Sequence, residues 1–178
     1  YSEKAVALSL LHTSPKAYRM LRKMFSLPSV STLRRSMKNI QIVPGFNSNI
    51  LEALGRKVIS MPNKLCTIVF DEMSLKAELN YNRELDQIEG LEDFGGQRTR
   101  YVANHATVFM VKGLMFPWKQ AIGYFLSSGP IKGSQLKTLL QECLEKVTEI
   151  GLTVKVIVCD QGSNNRKAMQ ELGVTEEN

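Results

Sequence analysis

Two aspartates carry the chemistry that this sequence offers. Asp71 follows an apolar, β-rich run at 64–70 (KLCTIVF), and Asp160 follows a second at 152–159 (LTVKVIVC). Each run reads as a strand buried on both faces and ending at its aspartate. Two carboxylates held at neighbouring strand positions can bridge divalent metals about 3.5–4 Å apart. Their hard oxygen ligands suit Mg²⁺ or Mn²⁺. Such a pair activates a water or a 3′-hydroxyl on one side and stabilises the leaving oxygen of a phosphodiester on the other. A lone aspartate after an apolar run often only caps a turn. The occurrence of two, each closing a strand, is what favours metal chemistry. Glu72 is expected to face away from the site, because strand side chains alternate.

The elements between these residues must bring them together. Residues 72–93 carry seven Asp/Glu against Lys76 and Arg83 and read as strand extension or loop. Residues 95–103 (GGQRTRYVA) read as a polar, mobile stretch. The runs 105–114 and 118–126, joined by Met115-Phe116-Pro117, suit an antiparallel hairpin. From Gly133-Ser134 a helix follows, with Leu136, Leu139, Leu140, Cys143, Leu144, Val147 and Ile150 on one stripe and Gly151 at its end. A helical crossover lets the strand before Asp160 lie parallel beside the strand before Asp71. A last helix over 163–172 would bury Ala168, Met169 and Leu172. The fold class expected is therefore α/β with a mixed sheet.

The amino-terminal part is different in charge. Residues 1–62 hold ten Lys/Arg against two acids, whereas residues 63–178 hold thirteen against fifteen. A basic segment joined to one that is not basic suggests a polyanion-binding module. Three helical patterns follow one another in it: 3–12, then Ser14-Pro15 to Phe25, then about 30–39. The second would bury Ala17, Tyr18, Leu21, Met24 and Phe25, and the third Val30, Leu33, Met37 and Ile40. The turn Ser26-Leu27-Pro28-Ser29 separates them. Two helices joined by a tight turn are what major-groove docking requires. On this reading Thr32, Arg34, Arg35 and Lys38 face duplex DNA, and Arg19, Arg22 and Lys23 grip its backbone. A small helical bundle with a polar face is the plainer alternative. A loop at 44–49 and a helix at about 48–61, striped by Leu51, Leu54, Val58 and Met61, lead to a boundary placed at Pro62-Asn63.

Composition excludes several classes. There is no apolar run of eighteen residues, so no membrane-spanning helix is expected, and no signal-peptide order at the start. Cys66, Cys143 and Cys159 are odd in number and form no C-x-x-C pair, so buried reduced thiols are expected rather than disulfides or zinc ligands. His12 and His105 show no nucleophile–acid spacing, Trp118 reads as a core residue, and Gly129 to Ser134 lacks phosphate-loop spacing. The start at Tyr1 and the ending at Asn178 read as those of a piece of a longer protein.

Several motifs in order carry a family resemblance. Asp71-Glu72-Met73-Ser74-Leu75-Lys76, His105 to Leu114, Trp118-Lys119-Gln120 with Gly123-Tyr124-Phe125, and Val158-Cys159-Asp160-Gln161-Gly162 resemble the P element-type DNA transposases. That family includes host proteins derived from them that carry a THAP zinc finger. Ser14 to Tyr18 and Thr32 to Arg35 resemble its helix-turn-helix segment. The resemblance implies an RNase H-like core, incomplete at its carboxyl end, behind a helix-turn-helix. It divides the chain into a DNA-binding segment at 1–44, a connecting helix at 45–62 and the first part of a catalytic domain at 63–178. It implies nuclear cut-and-paste transposition on double-stranded DNA with Mg²⁺ or Mn²⁺, with Asp71 and Asp160 as the first two catalytic ligands. It also implies GTP bound by a domain outside this chain, and homo-oligomers of the full-length protein. The remaining acidic residues would lie beyond Asn178; Glu176 and Glu177 are too close to Asp160 to replace them. This chain alone is thus expected to be catalytically incomplete and weak in metal affinity. Two other readings are a host-adapted DNA-binding protein without catalysis, and another RNase H-like nuclease or aspartate-using phosphotransferase.

Overall fold

A computed structural model describes residues 3–38, 42–83 and 85–174. The chain divides into two compact units, Tyr1–Ile42 and Val43–Asn178. The boundary expected at Pro62-Asn63 therefore moves twenty residues towards the amino terminus. The physical reason is the stripe of the helix over Ser48–Val58: Leu51, Leu54 and Val58 are buried in the core of the second unit rather than linking two bodies.

The first unit is three helices: α1 (Glu3–Thr13), α2 (Pro15–Leu21) and α3 (Val30–Lys38). Ser14 caps α2 by accepting the Ala17 N–H at 3.2 Å, with Pro15 in the first turn. Ser29 caps α3 by accepting the Thr32 N–H at 3.0 Å. The core is small: Ala7, Tyr18 and Leu33, with Leu8, Leu11, Leu27 and Val30 around them. The Tyr18 hydroxyl donates to the Pro28 carbonyl at 2.7 Å and so ties α2 to the turn before α3. Two expectations fail here. Helix α2 stops at Leu21, where Lys23 and Met24 N–H groups bond three residues back to Met20 and Leu21 in tight turns. Met24, Phe25 and Met37, expected inward, are 71%, 59% and 52% exposed. The expected core position Ile40 lies outside the described residues.

In the second unit, β1 (Gly45–Phe46) and α4 (Ser48–Val58) precede a long strand β2 (Leu65–Ser74). Then come β3 (Asn80–Asn82), β4 (Gln87–Glu89), β5 (Leu91–Asp93), β6 (Arg98–Val102), β7 (His105–Gly113) and β8 (Lys119–Ser127). Helix α5 (Gly133–Glu149), β9 (Thr153–Val158) and α6 (Ser163–Glu171) close the order. The main sheet runs β6-β5-β8-β7-β2-β9, with β1 added to β8, and β3 pairs β4 as a separate hairpin. Neighbours are antiparallel except β9, which lies parallel to β2 as the helical crossover requires. One sheet face, with Cys66, Ile68, Phe70, Phe109, Val111, Ile122 and Phe125, packs against α4, α5 and α6. Phe109 sits within 5.3–5.6 Å of the Phe46, Phe70 and Phe125 rings. β1 reaches β8 only because residue 123 is glycine: a Cβ there would stand 2.6 Å from the Gly45 carbonyl oxygen.

The hairpin, the α5 stripe and the parallel pair match the sequence reading. Three details differ. β2 does not end at Asp71 but continues to Ser74, because residues 71–74 still pair with β7. Residues 98–102, expected to be a mobile stretch, form β6 on β5. β9 is an edge strand among the described residues, so Val156 and Val158 are 44% and 46% exposed rather than buried on both faces.

Candidate functional site

Asp71 lies in β2 directly opposite Val108 of β7. The parallel register pairs Val69 with Val158. The pairing stops there: Asp71 lies two residues beyond Val69 within β2, and Asp160 lies two residues beyond Val158, where β9 ends. Asp71 is thus inside β2, three residues before its end at Ser74, while Asp160 follows the carboxyl end of the adjacent parallel strand β9. This is where open α/β sheets collect their sites.

Each carboxylate has one oriented oxygen. Asp71 Oδ1 accepts its neighbour's N–H, from Glu72, at 2.9 Å. Asp160 Oδ1 accepts the Gly162 N–H at 2.9 Å and the Asn165 side-chain amide. Both donors belong to the opening of α6, whose N-terminal dipole favours a carboxylate. Gly162 is suited to this turn, since a Cβ there would press on Asp160 Oδ1 at 3.1 Å. Oδ2 of each aspartate accepts no hydrogen bond among the described residues. Both aspartates are exposed. The Asp160 charge is felt by its neighbour: burial, and then Asp160, push the Cys159 thiol above its ordinary range.

Glu72 projects to the helix-bearing face, as alternation requires. There it accepts the Ile131 N–H at 3.1 Å, and its other oxygen stands 3.9 Å from His105 Nε2. That face is not remote from Asp160. A cavity of about 210 Å³ is lined by Phe70, Glu72, Thr107, Asp160, Ser163 and Asn164, among others. The sequence reading missed Glu72 and Thr107 here, since both reach the cavity through pairings distant in sequence. Among the described residues no group of three or more His, Cys, Asp or Glu forms a ready metal cage. Asp71 and Asp160 offer only carboxylate oxygens. That donor set fits a hard cation of the Mg²⁺ type, which keeps several waters and takes one or two protein carboxylates.

In the first unit Arg19, Arg22, Lys23, Thr32, Arg34 and Arg35 are all exposed. None of these basic residues forms an ion pair among the described residues. Arg19 Nε donates to the Pro15 carbonyl at 3.2 Å. The Thr32 hydroxyl is engaged with Ser29 Oγ at 2.8 Å, in the cap of α3. The side chain of Lys38 lies outside the described residues.

The second unit is an RNase H-like fold by its mixed sheet and its helical crossover to a parallel strand. The family described as TNP-like, RNase H N-terminal domain, matches residues 42–173. The family described as transposable element P transposase-like, HTH domain, matches residues 1–35. The chain belongs to the P element-type transposase family. It is 29% identical over 180 residues to the human DNA transposase THAP9, covering 96% of this chain and 20% of that protein. It is 30% identical over 168 residues to the transposable element P transposase of Drosophila melanogaster, covering 93% of this chain and 20% of that protein. The solved Drosophila P element transposase strand transfer complex matches with a TM-score of 0.73 and 25% identity, over 100% of this chain and 37% of the other. The chain thus spans about a fifth of the length of these two curated relatives.

Proposed function

We propose that this chain is the DNA-binding and first metal-ligand part of a cut-and-paste DNA transposase that acts on duplex DNA in the nucleus. The observation that supports this reading is the parallel pairing of β2 and β9, beyond whose last pair, Val69 and Val158, Asp71 and Asp160 each lie two residues on. Asp71 and Asp160 would each give oxygen ligands to Mg²⁺ or Mn²⁺. The chemistry such an ion supplies is activation of a water or 3′-hydroxyl against a phosphodiester. Glu72 N–H orients Asp71, while Gly162 N–H and Asn165 orient Asp160. Further acidic ligands, GTP binding and oligomer contacts are assigned to other parts of the protein. Arg34 and Arg35 on α3 approach the groove, and Arg19, Arg22 and Lys23 neutralise phosphates.

The test uses the longer protein that contains this chain. Strand cleavage dependent on Mg²⁺ or Mn²⁺ is expected to vanish in Asp71→Asn and in Asp160→Asn, with DNA binding retained. Cleavage that survives either substitution contradicts the assignment. DNA binding without any metal-dependent cleavage in the unsubstituted protein would leave the host-adapted, non-catalytic reading in its place.

A further inference from the structure

The loop between β8 and α5 is stitched down by three side chains, one from β5, one from β2 and one from the connection between β6 and β7. Ser128 N–H donates to Glu92 Oε2 at 2.9 Å, Gly129 N–H to Asn104 Oδ1 at 2.6 Å, and Ile131 N–H to Glu72 Oε2 at 3.1 Å. Glu92 is itself held by the Thr99 hydroxyl at 3.1 Å. Asn104 Oδ1 also meets His105 Nδ1 at 2.6 Å, and His105 Nε2 faces Glu72 at 3.9 Å. A loop whose N–H groups are satisfied in this way has little freedom to open.

Glu72 differs from the other two anchors because it touches the site at both ends. Its peptide N–H holds Asp71 Oδ1, and its carboxylate holds Ile131, which is buried at 4% exposure where the chain enters α5. Thr107 stands directly opposite on β7, with a buried hydroxyl that has no partner among the described residues. The carboxylate reaches across to the loop.

We infer that Glu72 is a positioning residue: by fastening Ile131 it fixes the peptide whose N–H aims Asp71. This inference rests on the reading of Asp71 and Asp160 as metal ligands. Glu72 acts through Asp71 and the loop rather than as a ligand itself. Groups that orient metal ligands typically change metal affinity about 10–100-fold when removed.

The experiment uses the whole 178-residue chain. Amide exchange and Mn²⁺-induced NMR broadening are compared for the unsubstituted chain, Glu72→Ala and Glu72→Gln. In Glu72→Ala the Ile131 amide is expected to exchange about tenfold faster, and the Mn²⁺ midpoint at residues 71 and 160 to rise about tenfold. Amides of Leu140 and Cys143 in α5 should hold, showing that the unit remains folded. Glu72→Gln keeps an acceptor for Ile131 and is expected to restore both readouts to within about threefold of the unsubstituted chain. If Glu72→Gln weakens Mn²⁺ as much as Glu72→Ala, the charge is the ligand and the positioning role is overturned. The same holds if Ile131 exchange is unmoved in Glu72→Ala. Broadening that is normal in the unsubstituted chain and equal in Glu72→Ala overturns the positioning role alone. No broadening in the unsubstituted chain overturns the metal reading and this role with it.

Discussion

Replacing Tyr18 by Phe tests how the helix-turn-helix unit is held together. The ring of Tyr18 is fully buried, and its hydroxyl donates to the Pro28 carbonyl at 2.7 Å. Phenylalanine keeps the ring and its packing, so the change isolates the hydrogen bond. A net hydrogen bond is worth about 0.5–1.5 kcal/mol, and an acceptor left unsatisfied costs about 1–3 kcal/mol. The bond is only part-buried, so water can partly replace the donor; about 1–2 kcal/mol is the expected loss. A unit with so few buried residues commands about 3–5 kcal/mol. The substitution therefore removes a large share of its stability without unfolding it. Amide exchange in the whole chain reads this directly: α2 and α3 amides should exchange about 5–30-fold faster, with α5 amides unchanged. Because most molecules stay folded, affinity for DNA should fall less than about twofold. Unchanged α3 protection, or an equal loss in α5, would refute the claim that this bond holds the first unit.

Two other outcomes follow from the same structure. Arg34→Gln and Arg35→Gln should each weaken binding to any duplex sequence and lower the salt-dependence slope by about one if they contact phosphate, as filter binding across salt concentrations would show. A slope that stays the same in the double substitution argues against α3 as the DNA-facing helix. The Cys143 thiol is pushed up to about 12 by burial first, then by Cys66 and Glu142, and the Cys66 thiol to about 11 by burial. In the unfolded chain both return to the ordinary value of 9.0. Below that pH both states keep their protons. As pH rises towards 12, the unfolded chain ionises first and stability is lost. Urea midpoints should thus fall from pH 8.5 to about pH 10.5 more in the native chain than in Cys143→Ala. An equal fall in both would contradict the assignment.

Burial made much of this fold legible. The stripe from Leu136 to Val147 and the run before Asp71 are buried as their periods suggest, and the run before Asp160 forms the expected strand, though an exposed one at the sheet edge. Alternation puts Glu72 on the face opposite Asp71, but that face carries the cavity lined by Asp160, so Glu72 does not face away from the site. What failed depended on partners distant in sequence. Residues 71–74 look like the end of a strand by type, yet they pair with residues 105–108 of β7. The α4 stripe announced burial without saying against what, so the boundary was misplaced. Met24 and Phe25 look like core residues, but the chain turns before it can bury them. The bond from Glu72 to Ile131 spans 59 residues and has no local signature. The two aspartates stand out in the sequence because their spacing to two apolar runs is local. The orientation of Asp160 by Asn165 and Gly162 becomes visible only once α6 is placed.

The most direct test of the central claim is an anomalous difference map from crystals of this chain equilibrated with millimolar Mn²⁺. The account predicts a peak about 2.1 Å from carboxylate oxygens of both Asp71 and Asp160, and its loss in Asp160→Asn. A peak held by Asp160 and Glu72 without Asp71, or no peak at either aspartate, would contradict it.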